Sequence, residues 1–293
     1  MFSRFFGRRA SSKESEFEIE NSKDDDDDDD DDNWTNGLRV NLSRLIAYAT
    51  SADVLLQREV AEKLANEAVN PKRQVQIVEY GGLKLLVPLT KSVDIEVKRL
   101  VAHALANLSV NANNQQLMAE EGAIEMLIPL LSVNHELIQR QSAKALANLA
   151  VNASNKRQIA LSGGIEKLII LTTSHHIPVR IEAVAALANL AVNDLNETDI
   201  VQSGGLDPII ASLTISINSL RYSSDSKDEY NSTNGLYEEL AAQCTRALRN
   251  LSVNSSNKQL LVRLGATDIL HTLKHWPNER ISQQARKALR NLS

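Results

Sequence analysis

The stretch A-L-A-N-L-S-V-N, residues 104–111, decides the fold because the chain writes it more than once. A-L-A-N-L-A-V-N ends at Asn152 and again at Asn193, and A-L-R-N-L-S-V-N ends at Asn254. With the inner asparagine as a ruler, Asn107, Asn148 and Asn189 fall 41 residues apart, Asn250 follows after 61, and Asn291 after another 41. Asn66, in K-L-A-N-E-A-V-N, stands 41 before Asn107 and marks a degenerate first copy. A second ruler agrees: Gly81, Gly122, Gly163 and Gly204 are 41 apart, and Gly265 follows after 61. Two landmarks share one period and one 20-residue irregularity, which is the signature of a repeat architecture.

Each unit reads as three helices. N-K-R-Q-I-A-L-S-G-G gives a short helix ending at a glycine pair, Gly163 and Gly164. These glycines permit a sharp turn and a close backbone approach, as do Gly81 and Gly82. Ile165, Leu168, Ile169 and Leu171 form one stripe of a second helix. Val184, Leu187, Ala188 and Ala191 form the buried face of a third, with Asn193 at its C-terminal end, where asparagine tolerates the left-handed conformation. Small residues recur in one register at Ala104, Ala145, Ala186 and Ala247, where neighbouring third helices must come close. A unit of this size cannot bury its apolar face alone, so stacked neighbours supply the core.

On these motifs, G-G-I-x-x-L-I-x-L-L and A-L-x-N-L at a 41-residue spacing, the chain resembles the armadillo-repeat family. The resemblance covers residues 38–293: a partial cap at 38–70, repeats at 71–111, 112–152, 153–193 and 194–254, and a closing repeat at 255–293. It implies an all-α, right-handed superhelix whose third helices line a concave groove that holds extended segments of partner proteins. In such a groove the third-helix asparagine bonds the partner's backbone, a role that falls here to Asn107, Asn148, Asn189, Asn250 and Asn291. The position four residues earlier carries tryptophan in nuclear-import receptors of the importin-alpha type. Here it reads Glu62, His103, Lys144, Ala185, Arg246 and Lys287. The likeness is therefore to beta-catenin-like and vacuolar-scaffold-like members, and His103 with the cations Lys144, Arg246 and Lys287 implies acidic or amphipathic partner segments.

Charge is unevenly distributed. Residues 1–33 hold five Lys/Arg and thirteen Asp/Glu, a net of −8, which leaves +3 of the overall −5 for the rest. That modest surplus, with no aromatic residues interleaved among the cations, argues against nucleic-acid binding. The single cysteine, Cys244, cannot form an internal disulfide. No nucleophile–base arrangement, phosphate loop or metal-ligand spacing is present, and His175 and His176 lack spaced acidic or cysteine partners. The expectation is a monomeric, non-catalytic scaffold or adaptor without a cofactor.

Two segments break the pattern. The insertion, residues 216–235, is rich in Ser, Asn and Asp and reads as a surface loop. Residues 1–37 read as a disordered tail, because nine adjacent aspartates from Asp24 to Asp32 repel one another. Its start combines Phe2, Phe5 and Phe6 with Arg4, Arg8 and Arg9, a composition that could touch an anionic membrane or direct the chain to an organelle or the nucleus. Phe2 stands where acylation requires glycine, and no apolar run reaches transmembrane length, so a cytoplasmic location is the default expectation.

Overall fold

A computed structural model describes residues 26–225 and 232–293. The basic–aromatic start of the chain, Phe2 to Arg9, lies outside the described residues. The chain divides into two compact units, up to Glu121 and from Gly122 onward. The first contains α1 (Asp26–Ala49), α2 (Val54–Glu67), α3 (Pro71–Glu79), α4 (Leu83–Thr90), α5 (Ile95–Leu108) and α6 (Ala112–Glu120). The second contains α7 (Ala123–Leu130), α8 (Glu136–Leu149), α9 (Ala153–Leu161), α10 (Gly164–Leu171), α11 (Ile177–Leu190), α12 (Asp194–Gln202), α13 (Leu206–Asp225), α14 (Ser232–Leu251), α15 (Ser255–Arg263), α16 (Ala266–Leu273) and α17 (Glu279–Leu292). No strand occurs among the described residues.

From α3 onward the helices follow a repeated short, short, long order, broken only where α13 is lengthened, and within each unit the long third helices pack on one another. In the second unit α8 packs on α11, α11 on α14, and α14 on α17. The alanines that permit this, Ala145, Ala186 and Ala247, are fully buried with Leu146, Leu187 and Leu248 beside them. Each buried leucine contributes roughly 1.5–3 kcal/mol, so burial that recurs in every repeat dominates the energetics. The first unit builds the same way around Leu85, Leu86, Leu89, Leu105 and Leu108.

The glycine pairs divide their work. Gly163 turns the chain at φ +78°, in the left-handed region. Gly164 lets the backbone come close: a Cβ there would stand 2.7 Å from the carbonyl oxygen of Ile159.

Three expectations need correction. Asn193 does not end a helix in the left-handed conformation; its φ is −97°, and it caps the start of α12. Asn70, Asn111, Asn152 and Asn254 do the same for α3, α6, α9 and α15, each side-chain oxygen accepting from the backbone N–H of Lys72, Asn113, Ser154 and Ser256 at 2.9–3.0 Å. The last letter of the recurring octapeptide thus belongs to the next helix, because a helix start leaves N–H groups that a short amide can satisfy.

Within the insertion, residues 216–225 and 232–235 are helical where a loop is expected. The insertion lengthens two helices, carrying α13 out to Asp225 and starting α14 at Ser232. Ile209, Leu213 and Ile217 recur every four residues along α13 and are buried, facing an α14 that buries Leu240, Ala241, Cys244 and Leu248. Once that seam exists, extending each helix adds a hydrogen bond per residue without a new nucleus, so polar composition does not stop it.

The boundary at residue 37 also falls inside a helix, since α1 begins at Asp26, within the acidic run. Leu38, Leu45 and Ala49 anchor it. Propagation outward from that packed turn is inexpensive, and acidic residues suit a helix N-terminus.

Candidate functional site

The recurring third-helix asparagines occupy one register and are half-buried or buried. In the first unit Asn107 on α5 lies one turn from His103, with Asn107 Nδ2 3.2 Å from His103 Nε2. In the second unit the amides tie successive third helices together. Asn189 Nδ2 donates to the Ala147 carbonyl at 2.8 Å, Asn250 Nδ2 to the Ala188 carbonyl at 2.7 Å, and Asn291 Nδ2 to the Arg249 carbonyl at 3.1 Å. The acceptor is always the residue just before the previous inner asparagine. Asn148 on α8 is half-buried and is not free either.

An amide nitrogen has two donors, so one N–H remains on Asn189 and on Asn250 after these bonds. Asn291 uses both, the second on Ser252 Oγ at 3.1 Å.

The three cations differ from one another. Arg246 is not a free charge: Nη1 donates to Asn189 Oδ1 at 2.8 Å and Nη2 to the Ala185 carbonyl at 3.2 Å. Burial, and then the neighbouring Arg249, hold the Arg246 pKa below the usual guanidinium value. Lys144 on α8 shares its surroundings with Glu182 on α11. Lys287 on α17 is exposed and makes no salt bridge among the described residues.

Three features had gone unread in the sequence. Glu182 and Glu239 place carboxylates among the cations, Glu239 pairing with Arg280 at 3.0 Å. They sit four and seven residues before Ala186 and Arg246, and helix spacing alone could have set them on the same face. A second asparagine series, Asn114, Asn155, Asn196 and Asn257, is buried at the starts of the first helices. Asn114, Asn155 and Asn257 donate to the carbonyls of Leu108, Leu149 and Leu251, at the ends of the preceding third helices. The signal was N-x-x-N. The third feature is the valine of the recurring V-N pair: Val151, Val192 and Val253 are 62%, 59% and 63% exposed beside the asparagine row. An aliphatic side chain written repeatedly where solvent reaches it offers a row of contacts to something else.

Two recesses stand out. Between α14 and α17 a cavity of about 370 Å³ is lined by Arg249, Asn250, Val253, Lys287, Arg290 and Asn291. The first unit has a larger one of about 790 Å³, lined mainly by aliphatic side chains together with Thr50, Gln57, Ser92, Lys84 and Lys91. Among the described residues no group of three His, Cys, Asp or Glu side chains could hold a metal ion, and no single helix is long and apolar enough to cross a membrane.

Three-helix units stacked through glycine turns and asparagine ties define an α-solenoid of the armadillo type. The family model for the Armadillo/beta-catenin-like repeat matches residues 70–110 and 111–151. A crystal structure of an engineered protein is 31% identical, covers 85% of this chain and 95% of its own, and superposes with a TM-score of 0.72. A designed armadillo repeat protein in complex with peptide (KR)4 is 25% identical, with coverage of 85% and 98% and a TM-score of 0.70. A chain from a study of the phosphorylation switch controlling the interaction between cadherin and beta-catenin shares the fold at 22% identity and a TM-score of 0.67, and this chain spans 45% of it. Comparison with curated proteins gives no match. The chain belongs to the armadillo-repeat family.

Proposed function

We propose that the chain is a non-catalytic scaffold that holds extended partner segments on its third helices. The observation that carries this reading is the exposed valine row, Val151, Val192 and Val253, running beside the half-buried asparagines in one register. A partner backbone can take the remaining N–H of Asn189 and Asn250 while its apolar side chains cover the valines. This recognition reads an extended main chain and samples side chains at intervals. The partner of the designed relative is a basic peptide. Here the exposed Lys287 favours acidic segments, whereas Lys144 has Glu182 beside it and Arg246 serves the wall of the surface.

The test is partner capture from cells with the intact chain and with Val192→Asp and Lys144→Glu combined, both shown to fold by helical circular dichroism. Partners retained by the intact chain and lost by the variant place recognition on the third helices. An identical partner set for the two removes that placement.

A further inference from the structure

Charge is not shared evenly among the repeats. Residues 255–293 contain Lys258, Arg263, Lys274, Arg280, Arg286, Lys287 and Arg290 against Asp268 and Glu279, a net of 7 − 2 = +5. Residues 34–254 are then at 3 − 5 = −2. Carboxylates answer the cations on α8, at Arg246 of α14 and at the start of α17, through Glu182 and Glu239. At the far end of α14 and α17 no carboxylate forms a salt bridge among the described residues.

There the recess between α14 and α17 brings three cations together. Arg249 is held in place by neutral groups: its Nε donates to Asn250 Oδ1 at 3.0 Å and its Nη1 to Gln284 Oε1 at 2.9 Å. Its Nη2 also reaches Asn250 Oδ1, and Asn250 is itself buried and fixed to the Ala188 carbonyl. These bonds orient the guanidinium without cancelling its charge, and they leave two of its five N–H donors unassigned. Lys287 and Arg290 are exposed on the facing side of the recess and make no salt bridge among the described residues. Val253 supplies an apolar edge.

We propose that this recess, formed by Arg249, Lys287 and Arg290, receives a phosphorylated serine or threonine of the partner segment, with Val253 covering a neighbouring apolar side chain. The proposal rests on the reading of the third helices as the partner surface and names the chemistry at its α17 end. A carboxylate brings one charge and leaves two cations unanswered. A phosphomonoester brings about −1.5 to −2 charges and three acceptor oxygens, which matches a preoriented arginine flanked by two mobile cations. A nucleic acid fits less well, because the recess is one repeat wide and lacks an aromatic platform for a base.

The probes are three fluorescein-labelled degenerate heptapeptide pools with phosphoserine, serine or glutamate fixed at the centre, titrated against the full chain by anisotropy. The phosphoserine pool is expected to bind about tenfold tighter or better than the other two. That advantage should vanish in Lys287→Gln/Arg290→Gln and survive in Lys258→Gln/Lys274→Gln, which removes the same charge elsewhere in the repeat. Equal binding of the three pools, no binding of the phosphoserine pool, or equal loss in both double variants overturns the proposal. So does a single-stranded oligonucleotide that outcompetes the phosphoserine pool. If all pools bind alike and are all lost in Val192→Asp, the phosphate site fails while the partner surface stands. Insensitivity to Val192→Asp would remove the surface as well.

Discussion

Asn189 works in two directions at once. Its nitrogen ties α11 to the Ala147 carbonyl of α8, and its oxygen accepts from Arg246 of α14. Replacing it with alanine strands a carbonyl and a guanidinium donor, so Asn189→Ala should cost about 1–3 kcal/mol in urea denaturation. Asn291→Ala, at the end of the stack, should cost less. Equal costs at both positions would contradict this account. Glu182 offers a test in pH. Burial holds its carboxyl above the usual carboxylate range against the pull of Lys144 and Arg140, with Glu239 adding to the rise. The folded state therefore keeps that proton longer than the unfolded chain does. The residue's contribution is most favourable in acid and is lost as pH rises through the folded-state value. Glu182→Gln should melt higher than the parent near pH 7, and the gap should close near pH 4, just below the usual carboxylate value of about 4.3. A gap that does not change with pH removes the explanation. Burial likewise pushes the Cys244 thiol well up, so it should resist thiol reagents until the protein unfolds.

At the scale of the element, the two glycines of one turn should not be equivalent. Gly163→Ala meets open space but must hold a left-handed φ, a cost of about 1 kcal/mol. Gly164→Ala drives a Cβ against the Ile159 carbonyl, which no rotamer relieves, and about 2 kcal/mol or more is expected from overpacking. Chemical denaturation of the two variants decides the order. The lengthened pair α13 and α14 gives the clearest contrast between composition and packing. Ile217→Ala should cost about 2–4 kcal/mol if the residue is part of the helix seam. Under the loop reading it would cost nearly nothing. The period, the glycine turns and the third-helix stripes were legible because each is local and repeated. Composition alone reads the insertion as a loop, whereas the helices it extends share a buried seam at Leu213, Ile217 and Leu240 that composition does not show. The capping asparagines were misread because one residue can end one helix or begin the next, and only φ separates the two.

For the molecule as a whole, charge is grouped by repeat, and binding should follow. A partner engaging the α17 end should weaken steeply with salt, while one held by valine and asparagine contacts nearer α8 should respond little. Comparing affinity at about 50 and 500 mM salt separates the two modes. Less of the candidate site than of the fold was legible, for a physical reason. Lys144, Arg246 and Lys287 share a register, yet their surroundings come from other helices: Glu182 beside one, Asn189 beside another, Arg249 across the recess from the third. A register predicts which face a side chain occupies; its counterion is set by the neighbouring repeat. The asparagine ties carry one more consequence, for how such a chain could grow. In the second unit, a cassette that carries Asn189 or Asn250 brings both halves of the joint, an amide for the third helix before it and a carbonyl, at Ala188 or Arg249, for the one after. A tandem duplication of a whole cassette would therefore arrive with its fastenings already matched. A duplication of half a cassette would leave one of them without a mate.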